Sequence, residues 1–386
     1  MIPYGRQDVT QADIDSVIDV LKSDLLTQGP IVPQFEGAVA RYCGARHAVA
    51  VNSATSALHI ACLALKLGPG DLLWTSPITF VASANCARYC GADIDFVDID
   101  PRTYNMSPAA LETKLEVAKA IGRLPKIVVP VHLTGQSCDM RAIGDLARHY
   151  GFQIIEDASH AVGGRYEGRA VGSCVHSDIA VFSFHPVKII TTAEGGMAVT
   201  NSADLAHRLR LFRSHGITRD GTEMTHEPDG GWYYQQIALG YNYRLTELQA
   251  ALGLSQLDRI DEYVAHRARL AARYGELLAR LPLTLPYQAQ YAANAWHLYV
   301  VRLKLDEARI THRQFYDRLR EAGIGVNLHY IPVHTQPYYR ALPGGAAMSF
   351  PEAERYYSEA VSLPMFATLT EADQDQVVAA IEKILA

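Results

Sequence analysis

Two side chains near the middle of the chain have the type and setting for amine chemistry. Lys188 sits in Ser183-Phe184-His185-Pro186-Val187-Lys188-Ile189-Ile190-Thr191-Thr192, just ahead of the turn Glu194-Gly195-Gly196. An ammonium among apolar neighbours is desolvated, so its pKa falls and a nucleophilic amine is left, which is what a Schiff-base lysine requires. Upstream, Phe152-Gln153-Ile154-Ile155-Glu156-Asp157 reads as a buried strand ending in a carboxylate. Asp157 at such an end can face a pyridinium nitrogen, the usual partner in a pyridoxal phosphate (PLP) site. A phosphate cradle is also present. Apolar His47-Ala48-Val49-Ala50-Val51 gives way to Asn52-Ser53-Ala54-Thr55-Ser56, and a helical run over 57–67 follows, so free N–H groups and a positive dipole end meet an anion there. Singly, these features read as a snorkelling lysine and an ordinary N-cap; their combination points to PLP.

The elements that must carry these residues alternate along the chain. Short apolar strands are expected at about 47–51, 71–74, 93–97, 126–131, 152–156 and 178–183, with helical stretches between them that include 107–119 and 140–150. Such alternation predicts a largely parallel sheet with helices on both faces and the ligand at the carboxyl ends of the strands. The Glu194-Gly195-Gly196 turn before Met197-Ala198-Val199-Thr200 predicts one strand running against the others. At the amino terminus, Thr10-Gln11-Ala12-Asp13 reads as a helix start, with Ile14, Val17, Ile18 and Leu21 on one apolar face. The stretch 218–240 is polar and glycine-containing but holds Trp232, Tyr233 and Tyr234, which favours an ordered lid or a subunit contact. A long helical pattern over 245–281, interrupted by Gly253 and Gly275, leads into a smaller domain. There, strands are expected at 296–303 and 325–330 and helices at about 311–322, 351–361 and 371–385. The expected division is a large cofactor-binding domain over 1–245 and a smaller C-terminal α/β domain over 246–386.

Composition narrows the function. The 386 residues are 49% hydrophobic, enough for a substantial core, and the formal charge of -6 with no dense basic run gives no electrostatic case for nucleic acid. No apolar signal core opens the chain and no apolar run approaches a membrane span, so a cytoplasmic protein is expected. The six cysteines form no Cys-x-x-Cys pair and no zinc spacing with histidine, and no His-Glu-x-x-His occurs, so no metal is expected. A nicotinamide dehydrogenase would need Gly-x-Gly-x-x-Gly after a strand and a serine hydrolase a Gly-x-Ser-x-Gly elbow; neither is present.

Read together, the segments resemble the fold type I PLP enzymes, and specifically the DegT-type nucleotide-sugar aminotransferases, over nearly the whole chain. Leu26-Thr27-Gln28-Gly29-Pro30, Asn52-Ser53-Ala54-Thr55-Ser56, Thr79-Phe80-Val81-Ala82-Ser83, Glu156-Asp157-Ala158-Ser159-His160, Ser183-Phe184-His185 with Lys188, and Gly240-Tyr241-Asn242-Tyr243-Arg244 carry the resemblance. It implies that Lys188 is the Schiff-base lysine and proton shuttle and that Asp157 holds the ring nitrogen protonated. It further implies that Phe80 stacks on the ring, that the Ala54 N–H, Thr55 and Ser183 hold the phosphate, and that Asn242 reaches the same phosphate from a second subunit of a homodimer. His160 stands near the ring hydroxyl, where many members carry glutamine. Relatives that dehydrate sugars replace the lysine with histidine, so Lys188 favours transamination.

Further runs, among them Ser76-Pro77-Ile78-Thr79, Arg213-Ser214-His215-Gly216 and His329-Tyr330-Ile331-Pro332-Val333-His334, resemble the branch of the family that serves pseudaminic acid synthesis. That resemblance implies a UDP-linked 4-keto-6-deoxy-N-acetylhexosamine of L-arabino configuration as amino acceptor and L-glutamate as donor. It nominates Tyr4, Leu26, Thr27, His329 and Tyr330 as sugar-nucleotide contacts. Another nucleotide-linked keto sugar, or a non-enzymatic PLP-binding regulator, is the alternative.

Overall fold

The computed structural model describes residues 1–386. Its centre is a seven-stranded sheet in the order His47–Val51, Gly196–Thr200, Ile179–Ser183, Gln153–Asp157, Ile127–Val129, Leu72–Thr75, Asp93–Phe96. Gly196–Thr200 runs antiparallel to both of its neighbours, and every other pairing is parallel. Apart from the edge strand Asp93–Phe96, the strands are mostly buried, largely apolar runs because helices cover both faces of the sheet. Helix Ala54–Ala64 is nearly all buried and packs on one face among Val49, Val51, Val181 and Ala198; Phe35, Val39, Phe182 and Phe184 pack on the other.

A smaller antiparallel sheet, Leu283–Thr284, Tyr299–Leu303 and Ala360–Leu363, is backed by helices His312–Glu321 and Glu371–Leu385. The helical pattern over 245–281 breaks at residues 258–259, giving Glu247–Leu257 and Ile260–Leu277, and neither Gly253 nor Gly275 interrupts a helix. Gly253 instead permits close packing, since a Cβ there would lie 2.6 Å from Phe35 and Thr192. Ile260 and Tyr263 pack in the core of the large sheet, whereas Leu270, Ala271 and Tyr274 pack in that of the small one, so one helix passes between the two. The first residues cross over as well: Ile2 bonds Gly323 and Gly325 at 2.9 and 2.6 Å, which brings Tyr4 against Met365.

Several sequence expectations change. No strand forms over 325–330; Ile324 and Asn327 make isolated bridges only, and the chain turns inward to place His329 and Tyr330 in a cavity. The helix expected over 351–361 stops at Glu359, because the buried run Ala360–Leu363 pairs with Tyr299–Leu303. Helix Gln11–Leu21 forms, but its buried side carries Asp13 and Val20, while Ile14, Ile18 and Leu21 face outward. Asp13 accounts for this orientation: it accepts two bonds of 2.7 Å from Arg259 and others from Ser255 and Gln256, so the polar side is drawn inward. The 218–240 stretch is anchored by pairing of Ile217–Thr218 with Gln235–Gln236, and Trp232 stays exposed.

Candidate active site

Strand ends, two loops and the amino-terminal segment enclose a cavity of about 580 Å³, within the range of small-molecule sites. Lys188 stands on its wall, in a loop between Ile179–Ser183 and Gly196–Thr200. Backbone bonds Phe184 N–H to Gly195 O (3.0 Å) and Thr192 N–H to Phe184 O (3.0 Å) close the neck of that loop, and buried Ile189 and Ile190 anchor it. Surrounding protein desolvates the Lys188 ammonium, and the Asp157 charge only partly offsets this, so its pKa falls to about 8.

Asp157 ends its strand with its carboxylate in the cavity. Oδ2 accepts from Ser83 Oγ at 2.5 Å and Oδ1 from Ser159 N–H at 3.1 Å. Ser83 has a single proton and gives it to the carboxylate, so the neighbouring Thr79 hydroxyl, 2.7 Å away, must donate to Ser83. This chain fixes the carboxylate in a dry setting and leaves its remaining lone pairs for a cationic ligand atom.

The N-terminus of Ala54–Ala64 is the candidate anion cradle. Ser53 caps the helix by accepting from Ser56 N–H at 3.1 Å, which leaves the N–H groups of Ala54 and Thr55 without intrahelical partners. Glycine is needed at position 196, where a Cβ would sit 2.5 Å from Ala54 N. Ser183 lies on the same wall. Phe80 is 58% exposed although the segment around it is buried, so one ring face is open to the cavity.

His160, His297 and His329 also line the cavity and are buried. Burial, followed by the charge of Lys188, pushes His160 and His297 well below the ordinary histidine range and His329 down to about 3, so all three are neutral. Tyr4 packs on His329 with ring centres 5.4 Å apart, and His329 Nδ1 bonds Ser362 Oγ at 2.8 Å.

Of the residues singled out in the sequence, Tyr4, Ala54, Thr55, Phe80, Asp157, His160, Ser183, Lys188, His329 and Tyr330 share this one cavity. Leu26, Thr27 and Asn242 do not line it; all three are exposed. The Leu26 loop is pinned by Glu247, which accepts from Gly29 and Ile31 N–H at 3.0 and 2.6 Å. Thr79 and Ser83 escaped notice as supports of Asp157, although their i, i+4 spacing around Phe80 hints at a shared face. Thr134 and His297 carry no local signal.

The residues present fit PLP. A carboxylate, a desolvated amine, an open aromatic face and a helix N-terminus that only glycine lets the neighbouring strand approach surround one space. The Lys188 shift has a measurable consequence. Because the folded pKa lies near 8 and the ordinary value is 10.5, the unfolded chain binds more protons between those values, and this group's contribution to stability rises with pH across that window. The reactive free amine is correspondingly scarce below pH 8. Loading of cofactor-free enzyme with PLP, followed by visible absorbance, should speed up about tenfold per pH unit below 8 and level off above it. A plateau reached only above pH 10 would show an unperturbed lysine.

Comparisons with known proteins agree with this geometry. The DegT/DnrJ/EryC1/StrS aminotransferase family matches residues 7–382. The spore coat polysaccharide biosynthesis protein SpsC of Bacillus subtilis (strain 168) is 39% identical over 386 residues, 100% of this chain and 97% of its own. GDP-perosamine synthase of Caulobacter vibrioides is 40% identical over 374 residues, covering 96% and 95% of the two chains. Among solved structures, Helicobacter pylori PseC, an aminotransferase involved in the biosynthesis of pseudoaminic acid, superposes with a TM-score of 0.91 at 30% identity, covering 100% of this chain and 99% of its own. Another solved relative is described in a PLP form. The chain therefore belongs to the DegT/DnrJ/EryC1/StrS aminotransferase family and is a PLP-dependent sugar aminotransferase.

Proposed function

We propose that the protein is a cytoplasmic homodimer that moves an amino group from L-glutamate to C4 of a UDP-linked 4-keto-6-deoxy-N-acetylhexosamine. The product is UDP-4-amino-4,6-dideoxy-N-acetyl-β-L-altrosamine, an intermediate of pseudaminic acid biosynthesis. The observation carrying this reading is the end-to-end likeness to PseC. The aromatic wall of Tyr4, His329 and Tyr330 beside Lys188 supports it, since apolar faces and neutral donors suit a sugar.

When bound, PLP supplies the electron sink and the transient carrier of the amino group. Lys188 provides the amine that binds the cofactor and the base that moves the substrate's proton. Asp157, held by Ser83, would keep a proton on the ring nitrogen. The Ala54 and Thr55 N–H groups with the Ser183 hydroxyl would hold the phosphate, and Phe80 would stack on the ring. Six free cysteines accord with a reducing compartment.

The 40% identity to GDP-perosamine synthase favours a second reading, a GDP-linked acceptor. The two separate in one assay. With glutamate as donor, kcat/KM is compared for the L-arabino and D-xylo UDP-4-keto-6-deoxy epimers and for dTDP- and GDP-linked sugars. The L-arabino epimer should lead by at least about tenfold, a difference of about 1.4 kcal/mol. Preference for a GDP-linked sugar would move the assignment to the second reading.

The dimer is supported by outward-facing Ile14, Ile18, Leu21, Leu25 and Leu26, an apolar stripe that one chain leaves in water. Exposed Asn242 and Trp232 project from the same chain, free to reach a partner's site. Neither Lys188→Ala nor Asn242→Ala protein should be active alone. Mixing the two after dissociation should restore activity in heterodimers that assemble one intact shared site. Full activity in a monomer at dilution would exclude shared sites.

A further inference from the structure

The Thr134 N–H donates to His160 Nδ1 at 3.3 Å. That nitrogen is therefore an acceptor, and the proton of the neutral ring is assigned to Nε2. His160 Nε2 lies 3.0 Å from Tyr330 Oη, so the ring donates and the hydroxyl accepts. Tyr330's own proton has no acceptor among the hydrogen bonds of the chain, and its hydroxyl belongs to a cavity-lining side chain.

The polarity of this chain is held from its far end. Thr134 sits at φ 63°, a left-handed conformation that costs a non-glycine residue about 1 kcal/mol or more. Leu133 N–H to Asn105 Oδ1 (2.9 Å) and Leu298 N–H to Thr134 O (3.1 Å) clamp it on either side. Gly135 beside it leaves no room for a side chain, since a Cβ would come 2.8 Å from Asn294 Oδ1 and 3.0 Å from His160 O. The His160 ring is held between His297, 4.5 Å away, and Tyr330, stacked at 6.0 Å. Protonating Nδ1 would set two N–H groups head to head.

We propose that His160 acts on the ligand through Tyr330: the chain Thr134 to His160 to Tyr330 fixes the tyrosine hydroxyl as a hydrogen-bond donor into the cavity, aimed at a ligand oxygen that carries negative charge or a carbonyl dipole. The tyrosine ring lies 6.1 Å from that of Phe80, and both side chains line the same cavity. Two ligand atoms have this chemistry there: the phenolic oxygen of PLP and the keto oxygen of the acceptor sugar. The PLP arm rests on the established cofactor class, the sugar arm on the proposed substrate. His160 is a positioning residue in this arrangement. Glutamine can replace it, because the amide oxygen accepts from Thr134 while the amide NH₂ donates to Tyr330, whereas leucine breaks the chain.

The test uses PLP-loaded full-length enzyme carrying Tyr330→Phe, His160→Leu, His160→Gln, and Tyr330→Phe with His160→Leu, each checked for folding by thermal unfolding. Two readouts are taken: the pH titration of the visible absorbance without substrate, and single-turnover rates for each half-reaction, with glutamate and with the UDP-4-keto L-arabino sugar. Tyr330→Phe and His160→Leu should cause matching losses of roughly 10²-fold, the scale of one lost oxyanion donor. The double variant should be no worse than either single one, and His160→Gln should stay within about threefold of the native rate. A shifted absorbance titration in Tyr330→Phe and His160→Leu identifies the PLP oxygen as target. An unshifted titration with only the sugar half-reaction slowed identifies the keto oxygen. Multiplying losses in the double variant, His160→Gln as damaging as His160→Leu, or Tyr330→Phe silent in both readouts would overturn the proposal. Failure of the substrate assignment alone would leave the absorbance titration and the glutamate half-reaction intact as tests.

Discussion

Lys188→Ala should abolish transamination while leaving the protein folded. In the proposed mechanism the amine is the nucleophile for PLP and the group that moves the substrate's proton, and loss of a single proton shuttle costs about 10²- to 10⁴-fold. Losing both roles places the expected loss at or beyond the upper end of that range. The fold should persist, because Lys188 makes no side-chain hydrogen bond within the chain and its ammonium is destabilised where it stands. The neck of its loop is held by backbone bonds and by Ile189 and Ile190. Steady-state turnover with glutamate, thermal unfolding and PLP binding by equilibrium dialysis check the three parts. The variant should be inactive, unfold at or slightly above the native temperature, and bind PLP weakly through the phosphate cradle. Near-native turnover would show that the catalytic amine is elsewhere.

Asp157→Ala and Glu156→Ala should both be severe, for different reasons. Period-two alternation along the strand predicts that Asp157 faces the site and Glu156 the opposite side, and the structure has this register. Alternation alone would make Glu156 the more tolerant of alanine, but its surroundings argue against that. Its carboxylate is buried and bonds His132 Nε2 at 2.7 Å and the Ser177 hydroxyl. His132 Nδ1 accepts from Cys138 N–H, so the ring proton sits on Nε2 and belongs to Glu156. Alanine would orphan the buried His132 donor and the half-buried Ser177 hydroxyl and cost about 3 kcal/mol of stability. Asp157→Ala should cost less stability, because Ser83 Oγ can turn its proton to Thr79 Oγ1 2.7 Å away, and should reduce kcat by roughly 10²-fold or more, because in the proposed mechanism the ring-nitrogen proton would lose its partner. Urea unfolding and single-turnover rates separate the two. Glu156→Ala that unfolds like the native protein, or Asp157→Ala that keeps native kcat, would contradict this division.

The central sheet was legible in the chain because its strands are buried on both faces, so apolar runs bounded by polar turns mark them directly. Helix Ile31–Cys43 escaped notice. It starts after Pro30 without a side-chain cap of its own, and its first N–H groups are capped by Glu247, far along the chain. The spacing in Gln11–Leu21 marks an apolar stripe but not the direction it faces, since the sequence does not reveal that Asp13 meets Arg259. The helix expected over 351–361 takes in the first two residues of the strand Ala360–Leu363, because so short a buried run is compatible with either period and only pairing with Tyr299–Leu303 decides.

The residue types at the candidate site were set by the sequence alone: an amine in apolar surroundings, a carboxylate at a strand end and a helix start rich in small hydroxyl residues are local facts, each with a local physical reason. Their convergence was not. Ser83 on Asp157, Thr134 behind His160, and Tyr4 from the amino terminus against His329 join residues separated by tens to hundreds of positions. Such contacts depend on the direction in which each element leaves the sheet and on the turn that replaces an expected strand before Tyr330. Hydrogen bonds and ring contacts are specific over a few ångströms of space, and no periodicity along the chain encodes that distance, so tertiary packing alone decided which side chains orient the chemistry.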